Sequence, residues 1–97
     1  MPLPDYHGGS ILNLMSTIAT ACGGSSRYAL LRGLDPARLA EKRNLVLLLV
    51  DGLGYNWLTR NWPDSLFCRH LQQRITSVFP STTATAITTV MTGLAPQ

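Results

Sequence analysis

The sequence predicts an α/β fold built on a parallel sheet and only partly contained in these 97 residues. Three observations lead there. Leu45 to Val50, "LVLLLV", is a continuous apolar run without alternation, the pattern of a strand covered on both faces. From Asn44 onward, strand-like and helical segments alternate, which implies right-handed crossovers between parallel strands. The chain is also 45% apolar and only 13% charged. A small domain has much surface for its volume and normally carries about a quarter charged residues. This composition resembles the interior of something larger. The 97 residues are therefore expected to be part of a bigger domain, or to cover their faces against a partner.

The elements follow in order. "SILNLMSTIATACGG" predicts a first helix, with Ser10 as its cap. Ile11, Leu14, Met15, Ile18, Ala19 and Cys22 recur at helical spacing on one face, and Gly23 and Gly24 end the helix. "SSRYALLRGLD" is a connector, and "PARLAEKR" predicts a short helix with Pro36 in its first position. Residues 1–43 form an N-terminal helical segment on this reading. Residues 44–97 form the first strand-helix-strand-helix part of a catalytic α/β domain. Within the second part, Leu45 to Val50 is the first strand and "GYNWLTRN" starts a short helix. "PDSLFCRHLQQR" suggests another helix, with Leu66, Phe67, His70 and Leu71 near one face. "ITSVF", Ile75 to Phe79, is a second strand, and "STTATAITTVMT" is a helix opened after Pro80 and stopped by Gly93. Its threonines have low intrinsic helix propensity, so packing must hold it.

Charge and cysteines exclude several classes. The net charge is +3, but the basic residues are scattered and no run of Lys or Arg occurs, so nucleic acid is not an expected partner. "LVLLLV" is too short to span a bilayer, and "MPLPDYHGG" lacks the features of a signal peptide. No membrane partner is expected, and a cytoplasmic location follows. Cys22 and Cys68 have no metal-type spacing and read as buried or idle thiols.

The chemistry sits at the strand ends, where open α/β sheets bind ligands. Asp51 directly follows the first apolar strand. A carboxylate there needs compensation, and a metal ion would provide it. The alternative is that Asp51 caps the "GLGYNWL" helix. Phe79 to Gly93 holds seven hydroxyl side chains and no acid or base. Thr83 stands at the start of the last helix, where the helix dipole and unpaired N–H groups favour an anion. Its hydroxyl suits attack on phosphorus if a metal takes the place of a base. The alternative is that Ser81 or Thr82 caps the helix while the other threonines pack. "VDGLGY" lacks the Lys-Ser/Thr of a P-loop, so its glycines serve turn geometry. His70 reads as structural, and His7 lies in a loop.

"LVLLLVDGLGYNWL" followed by "SVFPSTTATAITTVMTGLAPQ" resembles the start of the type I phosphodiesterase/nucleotide pyrophosphatase family, within the alkaline phosphatase superfamily. "LPDYHGGSILNLMSTIA" is similar to the N-terminal segment of its bacterial members. The resemblance implies the N-terminal part of an alkaline-phosphatase-like parallel-sheet sandwich. It puts a metal-binding Asp at Asp51 and a nucleophilic Thr three positions after Pro80, at Thr83, with Thr92, Gly93, Leu94 and Pro96 in register behind it. It implies two divalent ions, usually zinc, and a small-molecule phosphodiester or nucleotide substrate, cleaved through a phospho-threonine intermediate. The family's remaining Asp and His ligands, including an Asp-His pair, have no counterpart here; the aspartates are Asp5, Asp35, Asp51 and Asp64. These residues alone are therefore expected neither to hold two metals nor to be active. Sulfatases of the superfamily need a Cys or Ser motif that is absent. A phosphomutase of the superfamily and a non-catalytic module that completes itself by oligomerising are the alternatives.

Overall fold

The computed structural model describes residues 3–50, 52–79 and 82–96, with Thr83 limited to its backbone. Five helices lie among the described residues. They are α1 (Ile11–Ala21), α2 (Pro36–Ala40), α3 (Tyr55–Asn61), α4 (Leu66–Arg69) and α5 (Thr83–Thr92). Helix α1 is central and packs against α2 and α5.

Side-chain caps start three of the helices. Asp35 accepts from the Ala37 N–H at 3.0 Å, and Pro36 follows at the first position of α2, where a missing N–H does no harm. Ser65 caps α4 through the Cys68 N–H, and Thr82 caps α5 through the Thr85 N–H. Gly93 ends α5 in the left-handed region, φ 68°, where glycine has no Cβ penalty.

Helix α1 forms where its pattern predicts, but it does not bury the predicted face. Leu12, Asn13, Ser16 and Thr17 are buried, while Ile11, Leu14, Met15, Ile18 and Ala19 are half-buried and Cys22 is exposed. The polar members of the buried stripe are satisfied one by one. Asn13 Nδ2 donates to the carbonyls of Tyr6 and Ala29 at 2.8 and 2.9 Å. Its Oδ1 accepts from the Ser10 N–H at 3.1 Å and the Ser10 hydroxyl at 2.7 Å. Thr17 Oγ1 accepts from the Leu31 N–H at 2.8 Å, and the hydroxyls of Ser16 and Ser26 meet at 2.8 Å. Backbone groups of the 26–31 connector, which has no ladder of its own, thus find partners on α1.

The predicted α/β class is corrected by the structure. Among the described residues there is no sheet, only an isolated parallel bridge between Ser10 and Thr76. The two predicted strands fail for different reasons. Within "ITSVF", Thr76 is held by the turn before α1: its N–H donates to the Gly9 carbonyl and its carbonyl accepts from the Ile11 N–H, both at 2.8 Å. One residue so held does not extend into a ladder. Leu45 to Val50 was predicted to be covered on both faces, yet Val46 is 84% and Leu48 72% exposed. No described backbone group hydrogen-bonds residues 44–50. A buried strand needs neighbours on both edges, and the described residues supply none.

The buried apolar core is correspondingly thin: Leu12, Leu31, Leu58 and Val78. The chain exposes 7194 Å², against roughly 5500 Å² for a folded monomer of 10.6 kDa. The predicted helix over "PDSLFCRHLQQR" shrinks to the single turn of α4, which has no buried residue. His70, predicted to be structural on an apolar face, is exposed at the C-terminal cap of α4.

Candidate functional site

Asp51, Pro80 and Ser81 lie outside the described residues. Thr83 is the first residue of α5. The structure therefore positions the surroundings of the two predicted site residues, and those surroundings converge. Val50 and Gly52, on either side of position 51, line one cleft of about 520 Å³ together with Thr82, the N-cap of α5, and Ala86 one turn further on. Ile11, Leu49, Leu53, Gly54, Ser77 and Ile87 complete its wall. Gly52 has φ 74°, a conformation open to glycine, and it turns the chain from the apolar run toward α3. The N-cap of α3 is Gly54 rather than residue 51, so the predicted alternative of an Asp51 cap is not needed to start that helix.

The hydroxyls of "FPSTTATAITTVMTG" divide into distinct local roles. Thr82 caps α5, and its hydroxyl meets that of Thr85 at 2.7 Å. Thr88 and Thr92 return theirs to the carbonyls four residues earlier, Ala84 at 2.9 Å and Thr88 at 2.7 Å. Thr89 is buried. Most of the cluster is therefore explained by helix capping and back-bonding. Thr83 occupies the first turn, where the N–H groups of a ten-residue helix converge and favour an anion.

A second cleft of about 330 Å³ adjoins the first through Gly54 and Ser77. Tyr55, Trp57 and Phe79 give it an aromatic lining, and Arg74 lies over the Tyr55 ring at 5.6 Å. This neighbour was not legible in the sequence, because it joins α3 to residues 74–79 across the chain.

Among the described residues, no group of three or more His, Cys, Asp or Glu is placed to hold a metal ion. His7 is exposed, and its N–H donates to Asp5 Oδ1 at 3.1 Å. Cys22 and Cys68 are both free thiols, the first exposed and the second half-buried; of the reading as buried or idle thiols, burial does not hold for Cys22. Among the described residues, the one titratable group with a displaced pKa is Asp5. Its ion pair with Arg32 holds the carboxyl below the ordinary carboxylate range, aided by the His7 N–H. No described helix is long and apolar enough to cross a membrane. No protein-family profile, curated protein or solved structure matches the chain.

Proposed function

We propose that the chain carries part of the active site of a metal-dependent hydrolase of phosphodiester or pyrophosphate bonds. Thr83 is the nucleophile and Asp51 a metal ligand in this reading. The observation that supports it is the shared cleft: the residues flanking position 51 and those at the start of α5, Thr82 and Ala86, line the same space. The sequence motifs around Asp51 and Thr83, with the family resemblance they carry, support it independently.

Thr83 Oγ attacks phosphorus as the bond from phosphorus to the leaving oxygen breaks, its proton passing through solvent to that oxygen; the phospho-threonine still carries the rest of the substrate's phosphate ester, and water hydrolyses it. The N–H groups of the first turn of α5 favour the phosphate oxygens. The aromatic cleft beside Ser77, with Arg74 at its side, receives the organic part of the substrate. Divalent ions, once bound, would lower the pKa of the hydroxyl and neutralise the phosphate. The described residues do not fit two such ions by themselves, so the remaining ligands belong outside them. A cytoplasmic setting is part of the same proposal, supported by the two free thiols.

The test uses the protein in which these residues are joined to a full ligand set. Thr83→Ala abolishes turnover of p-nitrophenyl phosphodiesters on this reading, whereas Thr82→Ala, at the cap, leaves most of it. Retained turnover in Thr83→Ala removes the assigned role.

A further inference from the structure

Helix α5 is held less by its own sequence than by what flanks it. Five of its ten residues are threonine, a weak helix former, and among its described side chains only Thr89 is buried. Two tyrosines supply fixed points. Tyr6 Oη accepts from the Phe79 N–H at 3.0 Å, three residues ahead of the N-cap Thr82. Tyr28 Oη accepts from the Ala95 N–H at 3.2 Å, two residues past Gly93 at the other end. The two hydroxyls grip the chain on either side of α5. Building on the reading of Thr83 as nucleophile, we propose that Tyr6 and Tyr28 are positioning residues: they fix where α5 sits on α1, and with it the first turn that receives the phosphate.

Both grips return to one side chain of α1. Asn13 Nδ2 donates to the carbonyl of Tyr6 at 2.8 Å and to that of Ala29, the neighbour of Tyr28, at 2.9 Å. Asn13 is fully buried, and α1 packs directly on α5. The entry side is held a second time. The Asp5 N–H donates to Thr76 Oγ1 at 2.8 Å, and that hydroxyl donates to the Gly9 carbonyl at 3.2 Å. Residues 5–9 therefore hold both Thr76 and Phe79. On the exit side, Tyr28 shares a cavity of about 200 Å³ with Thr92 and Gly93 of the α5 end and with Met15 and Ala19 of α1.

A phenylalanine at either position keeps the ring and loses the acceptor. The Phe79 N–H is exposed, so water replaces the lost partner and global stability changes little. What is lost is a fixed direction for the chain entering α5. Placement of a nucleophile is unforgiving, since an error of about 1 Å can cost about a hundredfold in rate. The Tyr6 grip is four residues from Thr83, whereas the Tyr28 grip lies past the far end of a helix about 15 Å long. The Tyr6 grip therefore has the larger effect on the reaction.

The test again uses the protein in which these residues are joined to a full ligand set. With bis(p-nitrophenyl) phosphate, Tyr6→Phe should lower kcat about tenfold and Tyr28→Phe about threefold, with KM and the urea midpoint unchanged. Amide hydrogen exchange read by NMR should quicken about tenfold at Thr85 and Ala86 in Tyr6→Phe, and at Gly93 and Leu94 in Tyr28→Phe, with α1 unaffected. Phenylalanine variants that match the parent in kcat overturn the proposal, even if exchange in α5 quickens. So does exchange that quickens equally in α1 and α5, which marks general loosening. Turnover retained in Thr83→Ala removes the nucleophile's role and not the grips, which the exchange rates then decide by themselves.

Discussion

Replacing Asn13 by alanine should destabilise the chain far more than its place on a polar helix face suggests. Asn13 is 0% exposed and uses all of its amide. Nδ2 holds the Tyr6 and Ala29 carbonyls, and Oδ1 holds the N–H and hydroxyl of Ser10. Alanine leaves those two carbonyls and the Ser10 N–H without partners. Each buried orphan costs about 1–3 kcal/mol, less where water can reach it. Since the carbonyl contacts are only part-buried, the expected loss is about 3–5 kcal/mol. That is a large share of the roughly 5–15 kcal/mol available to a domain of this size. The control is Leu14→Ala. Helical periodicity assigns Leu14 to the core, but it is half-buried, so about 1 kcal/mol is expected. Urea unfolding followed by far-ultraviolet circular dichroism and by Trp57 and Trp62 fluorescence gives both values. If Leu14→Ala costs more than Asn13→Ala, the buried polar stripe is wrong and the apolar face of α1 is the packed one.

Other expectations rest on single contacts. Thr82→Ala should lower the stability of α5 by about 1 kcal/mol, and Thr82→Gly by only a few tenths, read from helical content on thermal unfolding. Thr17→Val should cost about 1–3 kcal/mol by leaving the Leu31 N–H without its acceptor, again by urea unfolding. The Asp5 carboxyl should titrate below its ordinary value of 3.8 in a carbon-detected NMR titration, and Arg32→Gln should bring it back up. Because its folded pKa is depressed, whatever stability it contributes is present above the unfolded value. That contribution is lost as pH falls through the folded one, so any acid sensitivity from this pair appears below about pH 4.

Local signals in the sequence survive into the structure; partner-dependent ones do not. Ser10, Pro36, Thr83 and Gly93 mark helix limits through groups within a few residues of them, and the helices begin or end there. The face of α1 was misread because hydropathy counts Asn13, Ser16 and Thr17 as solvent-facing. Their burial depends on backbone groups of the connector 14 or more residues away in two of the three cases. Leu45 to Val50 has a strand's composition, but strand formation needs a second chain segment at the right distance. Among the described residues Thr76 bonds instead with Gly9 and Ile11. The candidate site divides in the same way. The place of Thr83 at a helix start was legible from Pro80 and the threonine run, whereas the aromatic cleft joins segments about twenty residues apart.

The proposed reaction turns on Thr83 as the nucleophile that takes up the substrate's phosphorus. Acid-quenched incubation of the protein with bis(p-nitrophenyl) phosphate and the divalent metal, followed by peptide mass spectrometry, reads it directly. One p-nitrophenolate leaves, so a p-nitrophenyl-phosphoryl adduct is expected on the peptide containing Thr83, assigned to that residue and absent from Thr83→Ala and Asp51→Asn. Turnover without an adduct at Thr83, or an adduct on Thr82 or Thr85 that survives Thr83→Ala, would contradict it.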